Sequence, residues 1–212
     1  MLLLDEPMSA LDYRLRKRMQ IELKALQREI GSTFICVTHD QEEALSMSDR
    51  VAVMEDGIIT QLATPKEVYE EPNDIAVAKF IDEANFLDTK ILNVTDNMIT
   101  VEIEGKQIVL KNPRQYSIDS NVTTLVRPED LKVWGINEVM PSEKMYRASV
   151  IEVVYKGSTV DLILELSTGT RLLATEFFDE DDEELEYRIG EKVFIEWFPG
   201  WEVILPKDDD FE

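Results

Sequence analysis

The stretch Met1-Leu2-Leu3-Leu4-Asp5-Glu6-Pro7-Met8-Ser9-Ala10-Leu11-Asp12 decides how the chain is read, because it joins a strand signal to two adjacent carboxylates. Three consecutive leucines without alternation suit a strand covered on both faces, of the kind found in a parallel α/β sheet. Pro7 ends it. Ligands of such sheets bind beyond the carboxyl ends of the strands, which is where Asp5 and Glu6 leave this one. Taken alone, the run is equally well a core strand entering an acidic loop, since short motifs match often by chance.

The residues that follow narrow the choice. Between Tyr13 and Ile30, the side chains Leu15, Met19, Leu23, Leu26 and Ile30 recur at helical steps, and Gly31 follows as a C′ residue would. This predicts an amphipathic helix whose seam lies on the sheet holding Leu2 to Leu4, with Arg14, Arg16, Lys17 and Arg18 on a solvated face. Thr33 to Thr38 reads as a second buried strand, with Cys36 as a small buried hydrophobe inside it. His39 emerges from its carboxyl end beside Asp40, so two parallel strand ends face one crevice. A histidine there is placed to hydrogen-bond a γ-phosphate, although a lone histidine is more often structural. Asp40 and Glu43 have the spacing of a capping box that opens a short helix through Met47.

Asp56-Gly57, between Val51 to Met54 and Ile58 to Leu62, predicts a two-residue hairpin. Thr64-Pro65-Lys66-Glu67 reads as the N-cap, N1 proline and N3 glutamate of a helix that Pro72 stops. A last helix, Asp74 to Ile81, completes an α/β segment over 1–85. From residue 86 to 212 the texture changes to short alternating strands, the pattern of a small antiparallel barrel or sandwich. Ten strands are expected, from Phe86–Val94 to Glu202–Leu205, with turns at Asp96-Asn97, Glu104-Gly105, Lys156-Gly157 and Thr168-Gly169. This part contains neither histidine nor cysteine, and it offers no catalytic constellation.

Composition bounds the function. The net charge of −22 opposes a phosphate-backbone partner, so nucleic acid is excluded as an expectation. The second part is the more acidic, with 13 basic and 27 acidic residues against 9 and 17 in the first. A single cysteine rules out an internal disulfide or a Cys-based metal site. No apolar run of about 18 residues and no leader pattern are present, so a cytoplasmic chain is expected.

The order LLLDEP, SALD and FICVTHD resembles the ATPase subunits of ABC transporters. The tail, with Arg127-Pro128-Glu129-Asp130 near its middle, resembles the importer group that carries a C-terminal TOBE domain. Within that group, VTHDQEEALSMSDR, TPKEVYEEPND, EFFDEDDEELE and WFPGWEVIL look like the polyamine (spermidine/putrescine) importers. The resemblance implies a partial P-loop α/β segment over 1–85 and an OB-like TOBE β-barrel over 86–212. It also implies roles: Asp5 would hold Mg²⁺ through water, Glu6 would polarise the attacking water, Asp12 would reach across a subunit dimer, and His39 would contact the γ-phosphate of ATP. The implied partners are a second ATPase subunit, two integral-membrane permease subunits and, indirectly, an external polyamine-binding protein, which would place this chain peripherally on the inner face of the cell membrane. There is no G-x-x-x-x-G-K-[ST] loop, no LSGGQ-like signature and no glutamine loop. The chain is therefore expected to be the C-terminal part of a longer subunit, inactive alone. Alternatives are a ligand-sensing TOBE module, or an importer of sugar, iron, sulfate or another small solute. The acidic run Asp179 to Glu184, flanked by Glu176 and Glu186, is either a solvated loop or an attractor of polycations.

Overall fold

A computed structural model describes residues 1–112, 114–177 and 187–207. The chain divides into two compact units, Met1–Asp82 and Glu83–Glu212. The acidic run at 179–186 lies outside the described residues.

In the first unit β1 (Leu2–Asp5) pairs in parallel with β2 (Phe34–Val37), in the register Leu2↔Phe34 to Asp5↔Val37. The connection is α1 (Tyr13–Ile30), which Asp12 caps at its start and Gly31 closes in the left-handed conformation, φ 64°. The expectation of a strand covered on both faces fails here. Leu3 is 65 % exposed, Ile35 46 % and Val37 57 %, because two strands alone have neither neighbours nor helices over both faces. The helix seam is affected in the same way: Leu15, Leu26 and Ile30 are exposed, and Gln20 is the buried residue of α1. Cys36 is likewise exposed rather than buried.

The supposed solvated face of α1 needs a second correction. Arg16 pairs with Asp40, and Lys17 with Glu42, so two of the four basic side chains tie α1 to α2 (Gln41–Met47). Beyond α2, the strands β3 (Val51–Glu55) and β4 (Ile58–Ala63) form the expected hairpin, with Asp56 and Gly57 both at positive φ. Thr64 and Glu67 cap α3 (Pro65–Glu70) reciprocally, and Asp74 caps α4 (Ile75–Ile81). Val51, Val53, Val68, Val77 and Ile81 make the buried core of this unit.

Among the described residues the second unit contains ten antiparallel strands: β5 (Asn85–Thr95), β6 (Met98–Ile103), β7 (Lys106–Lys111), β8 (Asn121–Val126), β9 (Leu131–Gly135), β10 (Tyr146–Tyr155), β11 (Thr159–Leu166), β12 (Arg171–Phe177), β13 (Lys192–Trp197) and β14 (Val203–Pro206). They form two five-stranded sheets, ordered β14-β8-β5-β6-β7 and β12-β11-β10-β13-β9. The two orders are one pattern repeated. In each repeat a long first strand, β5 or β10, starts a three-stranded meander on one side and pairs with the fourth strand, β8 or β13, on the other. The fifth strand is exchanged: β9 joins the second sheet and β14 returns to the first. Both long strands carry a register shift, at Ile91/Asn93 and Val150/Glu152, and such a bulge lets a strand bend.

Alternation decides which faces pack. Ile99, Val101 and Ile103 of β6 and Leu162, Leu164 and Leu166 of β11 all point into one shared core. Asn85 joins the sheets at its edge. Its Nδ2 donates to Val126 O at 3.1 Å and Leu173 O at 2.9 Å, and its Oδ1 accepts from Leu173 N at 2.7 Å. In the second sheet, Glu176 of β12 accepts from Val133 N of β9 at 3.0 Å and from the Tyr187 hydroxyl at 2.6 Å. A carboxylate thus spans the two edge strands where the backbone ladder does not close. Burial, reinforced by the Glu176 charge, pushes the Tyr187 hydroxyl pKa up.

Candidate functional site

The carboxyl ends of β1 and β2 bring together residues that are more than thirty positions apart. The ladder continues one residue past β1, where Glu6 N donates to Val37 O at 2.8 Å. Glu6 then turns into a left-handed conformation, φ 43°, directly before Pro7. The Cβ of an L-residue disfavours that region, and a following proline restricts it further, so the turn stores strain of about 1–3 kcal/mol. Ser9 holds it, donating from both N and Oγ to Glu6 O at 3.3 and 3.1 Å. Met8, with no exposed surface, anchors the loop from below.

The sharp turn aims the Glu6 side chain at the end of β2. Glu6 Oε1 lies 3.0 Å from Nδ1 of His39, and both side chains remain substantially exposed. An exposed pair of this kind contributes little to stability. It can, however, be reached by a ligand, and the bond at Nδ1 fixes the orientation of the imidazole. Asp5 sits at the same strand end, in register with Val37. Asp12 is engaged differently from its neighbours in the motif, since its Oδ1 accepts from Leu15 N at 3.0 Å as the cap of α1.

His39 is itself held by a short polar network. Thr38 Oγ1 donates to Glu43 Oε2 at 2.7 Å and accepts from Asp40 N at 3.0 Å, while Asp40 Oδ1 accepts from Glu43 N at 3.0 Å. The expected capping box is therefore half formed: the aspartate caps, but the glutamate is drawn to Thr38 and is 3 % exposed. The pairing of Arg16 with Asp40 is what sequence reasoning missed in this neighbourhood. The signal available was their pairing of charge beside two helix starts, which an inspection of single helices does not weigh.

Among the described residues no group of three or more His, Cys, Asp or Glu side chains could hold a metal ion by itself. A metal at Asp5 would have to draw its other ligands from water and a bound phosphate, which is the habit of Mg²⁺. Among the described residues no helix is long and apolar enough to cross a membrane.

Residues 124–205 match the family model described as the TOBE domain. Over 205 residues the chain is 54 % identical to the spermidine/putrescine import ATP-binding protein PotA of Legionella pneumophila strain Philadelphia 1, covering 97 % of this chain and 56 % of that protein. The protein of the same name from Nitratidesulfovibrio vulgaris strain Hildenborough is 51 % identical over 206 residues, with the same two coverages. That from Marinobacter nauticus is 48 % identical over 211 residues, covering 99 % and 56 %. A solved structure of the cytoplasmic molybdate-binding protein ModG, with molybdate bound, is similar with a TM-score of 0.49 at 12 % identity, covering 58 % of this chain and 96 % of that one. The chain spans just over half the length of the import proteins it matches. Residues 124–205 are therefore similar to the TOBE domain, and nearly all of the chain is similar to a part of the spermidine/putrescine import ATP-binding proteins.

Proposed function

We propose that this chain is the portion of a polyamine-importer ATPase subunit that runs from the Walker B strand through the regulatory domain. Residues 1–85 would belong to the nucleotide-binding domain and 86–212 to the TOBE, OB-like domain. The observation that carries the reading is the Glu6–His39 contact, 3.0 Å long, at the carboxyl ends of two parallel strands. The similarity to import ATP-binding proteins over nearly the whole chain supports it.

In the complete subunit Glu6 would accept a hydrogen bond from the attacking water and orient it toward the γ-phosphate of ATP. His39, already oriented through Nδ1, would turn its other ring nitrogen to that phosphate. Asp5 would hold Mg²⁺ through water, and the bound ion supplies neutralisation of the phosphate charge. Asp12 has one carboxylate oxygen committed to α1, so the other would serve the contact across a dimer of two such subunits. Nucleotide-driven closing and opening of that dimer would drive two permease subunits at the cytoplasmic face of the membrane, fed by an external polyamine-binding protein. The chain itself contains no phosphate-cradling loop, and we expect it neither to bind nor to hydrolyse ATP.

The test uses a subunit restored with the missing part. Glu6→Gln should retain ATP binding and slow hydrolysis by about 10²- to 10⁴-fold, because the water loses its carboxylate. Turnover at the normal rate would remove Glu6 from the role assigned to it. Micromolar ATP affinity of the present chain in calorimetry would overturn the expected inactivity.

A further inference from the structure

We infer that Arg16 is a positioning residue for the Glu6–His39 pair, setting the separation of the two strand ends from a helix that touches neither side chain. This rests on the functional reading above for its meaning, and it deepens that reading. The guanidinium addresses the two segments that carry the pair. Nη2 donates to Leu11 O at 3.3 Å, at the end of the loop that begins with the strained Glu6. Nη1 donates to Asp40 Oδ2 at 2.7 Å, on the residue after His39. Nε faces Glu43 Oε1 at 3.7 Å, an ion pair without a hydrogen bond.

The carboxylate of Asp40 is divided between two tasks. Oδ1 caps α2 through Glu43 N, and Oδ2 takes Arg16. Because Asp40 N is also pinned to Thr38 Oγ1, the backbone on both sides of His39 is restrained. On the other side, Arg16 lies one turn into α1, where its own amide bonds Asp12 O at 2.9 Å. One planar fork with donors in fixed directions thus joins the loop after β1 to the turn after β2. A lysine, with a point charge on a flexible stem, could hold one of these partners but not both in the same geometry.

A purely structural tie between α1 and α2 would predict something else. Lys17 pairs with Glu42 across the same two helices and touches neither loop. If Arg16 only staples helices, losing Lys17 should disturb His39 as much as losing Arg16 does.

His39 is the one histidine in the sequence, so its ring signals in the NMR spectrum of the full chain are unambiguous. Glu6→Gln, at fixed pH, defines where those signals fall when the carboxylate partner is removed. Arg16→Met should move the ring signals of His39 toward that position, Arg16→Lys should return them part of the way, and Lys17→Met should leave them at the wild-type position. Methyl signals of Val68 and Val77 report that the unit stays folded. Where Arg16→Met fails that control, Arg16→Gln, which keeps a donor for Leu11 O but loses the ion pair, replaces it with the same expectation. The inference is overturned if the Arg16 variants leave the His39 signals unchanged, if Lys17→Met shifts them equally, or if Glu6→Gln itself does not shift them. The measurement reads geometry alone, so its failure leaves the ATPase reading standing. Normal turnover of a restored Glu6→Gln subunit would instead remove that reading and leave the geometry untouched.

Discussion

The unit Met1–Asp82 and the unit from Glu83 onward spend similar apolar side chains to very different effect. In the second, Leu162, Leu164, Ile195 and their neighbours reach zero exposure within one core fed by two sheets. In the first, leucines and isoleucines of the same hydrophobicity lie on the open faces of a two-stranded sheet, and apart from Met8 the buried apolar residues belong to the hairpin and the short helices after it. An apolar run marks a surface that needs covering. Whether it is covered depends on how many strands and helices arrive there.

This contrast can be broken by mutation. Leu162→Ala should cost about 2–5 kcal/mol in urea unfolding of the second unit, while Leu3→Ala, at a 65 % exposed position, should cost less than about 0.5 kcal/mol in the first. A large effect at Leu3 would show that the β1 faces are covered in solution.

Asn85 sharpens the comparison, since the second unit depends on a buried polar bridge as well as on apolar packing. Asn85→Ala strands Leu173 N and should cost about 1–3 kcal/mol, measured by the same unfolding. A neutral result would mean that the apolar core alone holds the two sheets in register.

A pH dependence is expected as well. Burial raises Asp130 to about 6, reinforced by Glu129 and Glu202 and opposed by Arg127. The folded unit therefore holds this proton more tightly than the unfolded chain does. The resulting stabilisation is complete below about pH 4 and is lost as the pH rises through 6. Asp130→Asn, which cannot ionise, should gain on the wild type between pH 4 and 7 by about 1 kcal/mol, since water around the partly exposed carboxyl screens most of the roughly 3 kcal/mol that the full shift would give. The opposite trend in paired unfolding curves would show an ionised Asp130 bound to Arg127.

The ten described strands of the second unit were legible, because a period of two and turn pairs such as Asp96-Asn97 and Glu104-Gly105 are local properties. Asp96 and Glu104 both take the positive φ those turns require. The repeated topology, the exchanged strands and the bridge from Asn85 were not, since they join residues up to 88 positions apart and no local pattern encodes the pairing. At the candidate site the same division holds. Glu6 and His39 could be placed at strand ends, and the structure puts them in contact. The left-handed turn at Glu6 could not be read, because it follows from how Pro7 and Ser9 settle around it, whereas the commitment of Asp12 to α1 was a local cap signal that went unread. The misreading of Arg16 as solvated has the same origin: its partner lies 24 residues away.

The exchange of β9 and β14 has a consequence for the order in which a ribosome delivers the chain. When β8 emerges, the sheet it joins still lacks the strand that covers its outer edge, and β14 follows only after the whole second sheet has been made. During that interval β8 presents unpaired N–H and C=O groups to any passing strand, its own second repeat or another nascent chain. The first sheet cannot finish before the second, so its closure is slow and long-range, as is typical of non-local β pairing. Anything that shields β8 until β14 arrives, such as a chaperone or a pause in translation, would raise the yield of folded protein without altering its final stability.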